Sequence, residues 1–172
     1  MMLIRRMTDA DAEEVSALIS RSYDRVLVHY HSPELIARFR EHVMPESLIE
    51  QLGRKEVFVA EDAGRIVATG GLGWFDDPSE PRDEQADVYE DATDRRVSNL
   101  FVAVDLIGRG IGRRLLDHLV ALAAQEGAAR LHVAGSRNAV SFYERAGFAL
   151  DPDPPTEIPE ITWLLRLLDL DS

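Results

Sequence analysis

Three glycines at alternate positions, Gly108, Gly110 and Gly112, lie between a β-branched run that stops at Val104 and an amphipathic segment that starts near Ile111. Glycine has no Cβ, so the backbone there can turn sharply and come close to a ligand. The first amides of a helix have no intrahelical partners and carry partial positive charge. A glycine-rich loop that opens a helix is therefore a seat for phosphate or pyrophosphate. Arg109, Arg113 and Arg114 add mobile positive charge around it. The spacing is not that of a dinucleotide loop, which needs Gly-x-Gly-x-x-Gly and an acid ending the next strand. Arg130 to Ala134 ends without such an acid, and the Gly-Lys-Ser/Thr of a nucleoside-triphosphate loop is absent. Read alone, the loop leaves two options: an anion seat, or a strand-to-helix turn with no ligand.

A second motif lies downstream in Ser136-Arg-Asn-Ala-Val-Ser-Phe-Tyr-Glu-Arg-Ala-Gly-Phe148. Asn138, Ser141 and Tyr143 place polar groups near one helix face or its start, while Phe142 can pack inward. On residue physics alone, Tyr143 is more readily an amphipathic packing residue at the core edge than a reactive group.

These motifs need elements to hold them. Leu3 to Met7 reads as a strand, and Thr8 or Asp9 can cap a helix that runs to about Tyr23. Ser32-Pro33-Glu34 starts a second helix with Leu35, Ile36 and Phe39 as its apolar stripe. Pro45 opens a third through Leu52. Val57 to Glu61 and Arg65 to Trp74 are strands joined through Asp62-Ala63-Gly64, with the glycine supplying a positive φ for a tight hairpin. The stretch from Asp76 to Asp94 is acid-rich, contains two prolines, and reads as a long surface loop. Arg96 to Val104 is a fourth strand, and Gly110 to Glu126 a helix ended by Gly127. Arg130 to Ala134 is a strand, Ser136 or Arg137 to Ala146 a helix closed by Gly147, and Phe148 to Leu150 and Ile161 to Leu168 the last strands. This order implies a mixed α/β (α+β) architecture around one sheet of about seven strands, without the regular alternation of a doubly wound fold.

The 172 residues suit one domain, 1–172. The net charge is −12, which disfavours nucleic acid as a partner and is compatible with a cationic substrate such as an amine. No apolar run approaches the roughly 20 residues that span a bilayer, so no membrane partner is expected. Met1 to Arg6 lacks a secretory apolar core. There is no cysteine, which excludes disulfides and thiolate chemistry and fits the cytoplasm. His29-Tyr30-His31 is the one close histidine pair, and no metal site is expected.

Taken together, the two motifs resemble those of the GNAT superfamily of acyl-CoA-dependent N-acetyltransferases. The family pattern is a strand, Arg/Gln-x-x-Gly-x-Gly/Ala and a helix, followed downstream by Asn-x-x-Ala-x-x-Phe-Tyr-x-x-x-Gly-Phe or a shorter form. Here these positions read Ile107-Gly-Arg-Gly110-Ile-Gly112 and Asn138-Ala-Val-Ser-Phe-Tyr143-Glu-Arg-Ala-Gly-Phe148. The resemblance implies a mixed, mostly antiparallel sheet flanked by helices, with acetyl-CoA as cosubstrate and a small-molecule or peptide amine as acceptor. It implies that the amides of Gly108, Arg109, Gly110, Ile111, Gly112 and Arg113 hold the pyrophosphate. Main-chain groups of Phe101, Val102 and Val104 would pair with the pantetheine arm, which enters where the fourth and fifth strands splay. Asn138 would contact the cofactor or order the helix start, and Tyr143 would protonate the departing thiolate. Dimers are common in relatives, so a homodimer is compatible. Ile107 replaces the usual Arg/Gln, where backbone matters more than side chain. Arg96, Ser98 and Asn99 occupy the strand positions at which many members carry a glutamate base, which leaves a water chain through Ser98 or Asn99 to a loop acid. His29, Tyr30, His31, Trp74 and Phe75 are candidate acceptor contacts or packing residues. A non-catalytic acetyl-CoA-binding sensor is the alternative from another class.

Overall fold

The structure, a computed structural model, describes residues 1–74, 94–154 and 160–168. The expected acidic loop, Phe75 and the end of the turn at Pro155 fall outside these residues.

The strands are β1 (Met2–Arg6), β2 (Glu56–Asp62), β3 (Arg65–Trp74), β4 (Asp94–Val102), β5 (Arg130–Ser136), β6 (Ala149–Leu150) and β7 (Ile161–Leu167). They form one sheet in the order β1-β2-β3-β4-β5-β7-β6. All neighbours are antiparallel except β4 and β5, which run parallel. The expected mixed, mostly antiparallel sheet of seven strands flanked by helices is therefore present. Five α-helices cover it: α1 (Ala12–Arg25), α2 (Pro33–His42), α3 (Pro45–Gln51), α4 (Ile111–Gln125) and α5 (Val140–Arg145).

Strand alternation sends β2 side chains to two cores. Val59 packs with Val15, Leu18, Ile19, Ile36 and Leu48 of α1, α2 and α3 on one face. Phe58 and Ala60 pack with Leu115, Leu116 and Leu119 of α4 on the other, where Tyr143 of α5 also lies. α2 starts where Ser32 Oγ accepts the Leu35 N–H at 3.3 Å and Pro33 takes the first helical position. Ahead of α1, the Asp11 carboxylate accepts the Thr8 N–H at 2.8 Å and both terminal nitrogens of Arg5 at 2.8 and 2.9 Å.

The expected elements are all present, with bounds displaced at some ends. β4 begins at Asp94 and stops at Val102, so Val104 lies beyond it in a one-turn 3-10 helix, Val104–Leu106. The helix expected from Ser136 or Arg137 starts as a 3-10 turn, Arg137–Ala139, and continues as α5.

Candidate active site at the fork between two parallel strands

β4 has one partner too few along half its length. Asp94 to Val97 pair with Arg130 to Val133 of β5, and the pairing then ends. Beyond Val97, β4 continues against β3, while β5 continues against β7 as far as Ser136. The cause is a bulge. Ser98 faces Gly71 and Phe101 faces Thr69, so β4 spends one extra residue there, and Asn99 adopts φ 51°. A bulge bends and twists its strand, and here it steers β4 away from β5. The result is a fork with two unpaired backbone edges.

A cavity of about 680 Å³ opens at this fork. Its walls come from both faces of the sheet: Tyr23, Leu35 and Phe39 of α1 and α2 on one side, Gly112, Phe142 and Tyr143 of α4 and α5 on the other. The edges of the fork, Ser98 to Val102 and Ala134 to Ser136, lie between.

The glycine loop borders the cavity through Gly108, Gly110, Ile111, Gly112 and Arg113. Gly108 and Gly110 have φ of +86° and +81°, and Gly110 is the N-cap of α4. That backbone region is costly for residues with a Cβ. Gly112 serves a different purpose: a Cβ there would meet Val102 Cγ2 at 3.0 Å, so its absence lets α4 close on β4. The first helical bond is from the Arg114 N–H to the Gly110 carbonyl at 3.1 Å. The amides of Ile111, Gly112 and Arg113 therefore point out of the helix end, free for an anion. No side chain caps this end. The exposed Arg109 is not part of the cavity wall.

Two of the backbone expectations need correction. The Ala103 N–H donates to the Val67 carbonyl at 2.8 Å, and Phe101 is paired with Thr69. In an antiparallel ladder alternate residues turn their polar groups the same way. Phe101 thus gives its main chain to β3, and only its side chain lines the cavity. Val102, one residue on, turns its main chain to the open edge. Val104 lies past the end of the strand and outside the cavity wall.

Tyr143 sits on α5 with its ring among Phe142 and Phe148, in edge contacts at 5.1 and 5.7 Å between centroids. The residue is buried yet borders the cavity. Its hydroxyl has no hydrogen-bond partner among the described residues and is not sealed from the cavity. Burial pushes the phenol above its ordinary value, so it holds its proton. It is the packing residue that residue physics favours, and it keeps its proton at the cavity wall. Asn138 borders the same cavity, in contact with Ser136 through the Ser136 hydroxyl.

The strand positions Ser98, Asn99 and Arg96 hold other contacts. Ser98 Oγ accepts from the buried Lys55 Nζ at 3.2 Å. The Asn99 amide donates to Gln51 Oε1 at 3.4 Å, and Gln51 donates in turn to the His42 carbonyl at 2.6 Å. The Arg96 guanidinium lies over the Trp163 ring at 5.0 Å. Of the histidine pair, His31 is buried and borders the cavity, whereas His29 and Tyr30 are exposed and do not. Burial lowers the His31 pKa, which keeps its imidazole neutral. Trp74 is also exposed and carries the Arg95 guanidinium at 4.1 Å, away from the cavity. Arg38, Phe39 and His42 of α2 and Trp163 of β7 line the cavity without having been singled out by motif. The signal for the first three was their spacing: with Leu35 they form the i, i+3, i+4, i+7 stripe of one helix face. Among the described residues no group of three or more His, Cys, Asp or Glu could hold a metal.

Residues 27–164 match the model of the acetyltransferase (GNAT) domain. The chain belongs to the GNAT acetyltransferase family. Acetyl-CoA is the cosubstrate of that family. No curated protein matches the sequence. Among solved structures, the PaiA N-acetyltransferase from Thermoplasma acidophilum in complex with coenzyme A has a TM-score of 0.77 at 15% identity, over 97% of this chain and 99% of that one. The ribosomal-protein-alanine N-acetyltransferase from Brucella melitensis has a TM-score of 0.64 at 22% identity, over 96% and 99%. N-acetylglutamate synthase from Neisseria gonorrhoeae, complexed with coenzyme A and N-acetyl-glutamate, has a TM-score of 0.64 at 18% identity, over 98% of this chain and 35% of that one. At these identities the likeness is one of fold. Among the described residues no helix is long and apolar enough to cross a membrane.

Proposed function

We propose that this GNAT acetyltransferase moves an acetyl group from acetyl-CoA to a primary amine by direct attack within a ternary complex. One observation carries the reading: the open β4–β5 edges, the anion-seeking start of α4 and the Tyr143 hydroxyl all border one cavity. The residues fit the cosubstrate. Val102 offers main-chain groups to an extended amide-bearing arm, as an edge strand does to an added strand. The amides of Ile111, Gly112 and Arg113 suit a pyrophosphate, with Arg113 and Arg145 beside them. Asn138 stands at the start of the second motif, next to the same space.

The acceptor ammonium first loses a proton to water in the cavity. The free amine nitrogen bonds to the thioester carbonyl carbon, and that oxygen gains charge, which a backbone N–H at the fork edge stabilises. The C–S bond then breaks. Tyr143 gives its proton to the departing sulfur and regains one from the amide nitrogen or water. The products are the N-acetyl amine, CoA thiol and a proton. Burial suits Tyr143 to this task, because it stays protonated at every physiological pH.

Thermal shift and thiol release test the reading together. CoA and acetyl-CoA should raise the melting temperature through binding to the folded state, with NAD and ATP doing much less. Thiol release from acetyl-CoA should then depend on an added amine. A response to ATP with none to CoA would overturn the cosubstrate. CoA binding without transfer to any amine would leave a sensor.

A further inference from the structure

The chain carries a net charge of −12, yet no Asp or Glu is among the described residues that line its cavity. The charged residues there are all arginines: Arg38, Arg96, Arg113 and Arg145. Two of these have an evident purpose. Arg113 and Arg145 belong to α4 and α5, beside the seat for the cosubstrate phosphates. Arg113 is held there by Asp117 at 2.9 Å and by the Arg145 carbonyl at 3.1 Å.

Arg38 and Arg96 line the cavity from other elements, α2 and β4. Arg38 makes no hydrogen bond or ion pair with any described residue, although its neighbour Arg40 on the same helix is paired with Asp24 at 2.5 Å. A guanidinium left without a carboxylate in so acidic a chain, and turned to a cavity, is suited to a ligand anion. His42 follows one turn later on the same face of α2 and offers a further donor. Arg96 is steadied by the Trp163 ring. The rest of this wall is apolar: Leu35, Phe39 and the buried, neutral His31, whose ring meets Phe39 edge-on at 6.1 Å. The carboxylate whose charge reaches His31, Glu160, is bound to the Ser32 N–H and hydroxyl at 2.6 and 3.1 Å and does not line the cavity.

An acceptor that is only a cation would meet the like charge of Arg38, which no described carboxylate pairs. An amine that brings its own carboxylate would place it on planar guanidinium donors, which match its geometry. Building on the N-acetyltransferase reading, we infer that the acceptor is a free α-amino acid with an apolar side chain. Its carboxylate is held by Arg38, and its side chain rests against Leu35 and Phe39. The overall negative charge, which is compatible with a cationic amine, is not mirrored among the described residues of this wall.

The test compares leucine and phenylalanine with their amides and with their decarboxylated amines, reading kcat/KM from thiol release. The amides are the decisive control. Their amino group is less basic than that of the parent acid, so more of it is free to attack, and a preference for the acid cannot come from free amine. We expect each acid to exceed both its amide and its amine by about tenfold or more, a common margin for a lost guanidinium–carboxylate contact. Arg38→Gln, at an exposed helix position, should reduce that acid-to-amide ratio by about tenfold. Equal or better turnover of amides, decarboxylated amines or spermidine would overturn the inference, as would a ratio untouched by Arg38→Gln. If no member is acetylated, calorimetry of the same compounds against the protein–CoA complex decides the inference separately from the transfer reading. Tighter binding of the acids upholds it, and equal, weaker or absent binding overturns it.

Discussion

β4 is one strand with two halves that behave as opposites. From Asp94 to Val97 it is paired on both sides and locked by charge. The Asp94 carboxylate, fully buried, holds Arg130 Nε at 2.9 Å through one oxygen and lies 2.9 Å from His132 Nε2 through the other. These contacts cross from β4 to β5 and tie the two strands below the fork. From Ser98 to Val102 the strand is bulged, has no partner on the β5 side and borders the cavity. An open edge is normally a liability. It persists here because the half below it is pinned. The buried charge that ties the sheet and the unpaired backbone edge thus occupy different halves of one strand. Substitution of Asp94 should destabilise the fold, and substitutions around the open half should spare the fold and damage chemistry or binding.

The largest expected effect is at the open half. Tyr143→Phe keeps the ring contacts and removes the hydroxyl, so kcat should fall roughly 10²- to 10⁴-fold, the usual contribution of a positioned proton donor. Cofactor affinity and melting temperature should change little. Single-turnover measurement is the right check, since slow product release can hide a damaged chemical step. Near-normal turnover with chemistry limiting would make Tyr143 a packing residue alone. The same hydroxyl bears on pH. Because burial raises its pKa, the proton is lost only above the ordinary phenol range, and a kcat profile should show no alkaline loss from this group at pH 9 to about 10.

Next comes the closed half. Asp94→Ala removes a buried carboxylate from between buried His132 and the partly exposed Arg130, and losing these contacts should cost about 1–3 kcal/mol. Urea unfolding would show it. A loss below about 1 kcal/mol, the range of an ordinary surface change, would mean that strand pairing alone holds the fork.

A smaller effect is expected at the glycine loop. Gly110→Asp has space for its Cβ but is strained by its φ of +81°, and it sets a negative charge where an anion binds. CoA affinity should drop roughly tenfold to a hundredfold by calorimetry while the protein stays folded. Unchanged affinity would move the phosphate seat elsewhere.

The smallest effect concerns a site remote from both halves and serves as their control. Arg5 holds the Asp11 carboxyl down at about 2, below its ordinary 3.8. The folded-state pKa is the lower one, so this contribution is complete above the unfolded value and is lost as pH falls from about 5 to about 2. Arg5 is one-third exposed, and screening limits the effect to about 1–2 kcal/mol. Asp11→Asn should flatten that part of the stability curve and leave transfer at neutral pH intact.

The sequence carried most of the element order and one end of the site. Helix and strand periodicity placed seven strands and the helices between them, and Gly108, Gly110 and Gly112 marked the proposed phosphate seat. Such features are local: a glycine with positive φ and the unpaired amides of a helix start depend on a few adjacent residues. The fork was implied only through family resemblance. Nothing in the residues around Asn99 announces a bulge with positive φ, because the extra residue exists only relative to the register of β3. The same holds for the main-chain assignments at Phe101 and Val104, where alternation against β3 and the end of the strand decided which groups face the gap. The proposed acceptor wall was less visible still. Arg38 and Arg96 stand 58 positions apart in the chain, and each read singly is an ordinary surface arginine. The net charge is compatible with a cationic acceptor, but it averages over the whole chain, whereas a cavity responds only to the charges that border it. Local backbone chemistry was thus determined by the sequence alone. Which side chains share a space was decided by the tertiary structure, since strand register and helix packing are set by contacts between residues distant in the chain.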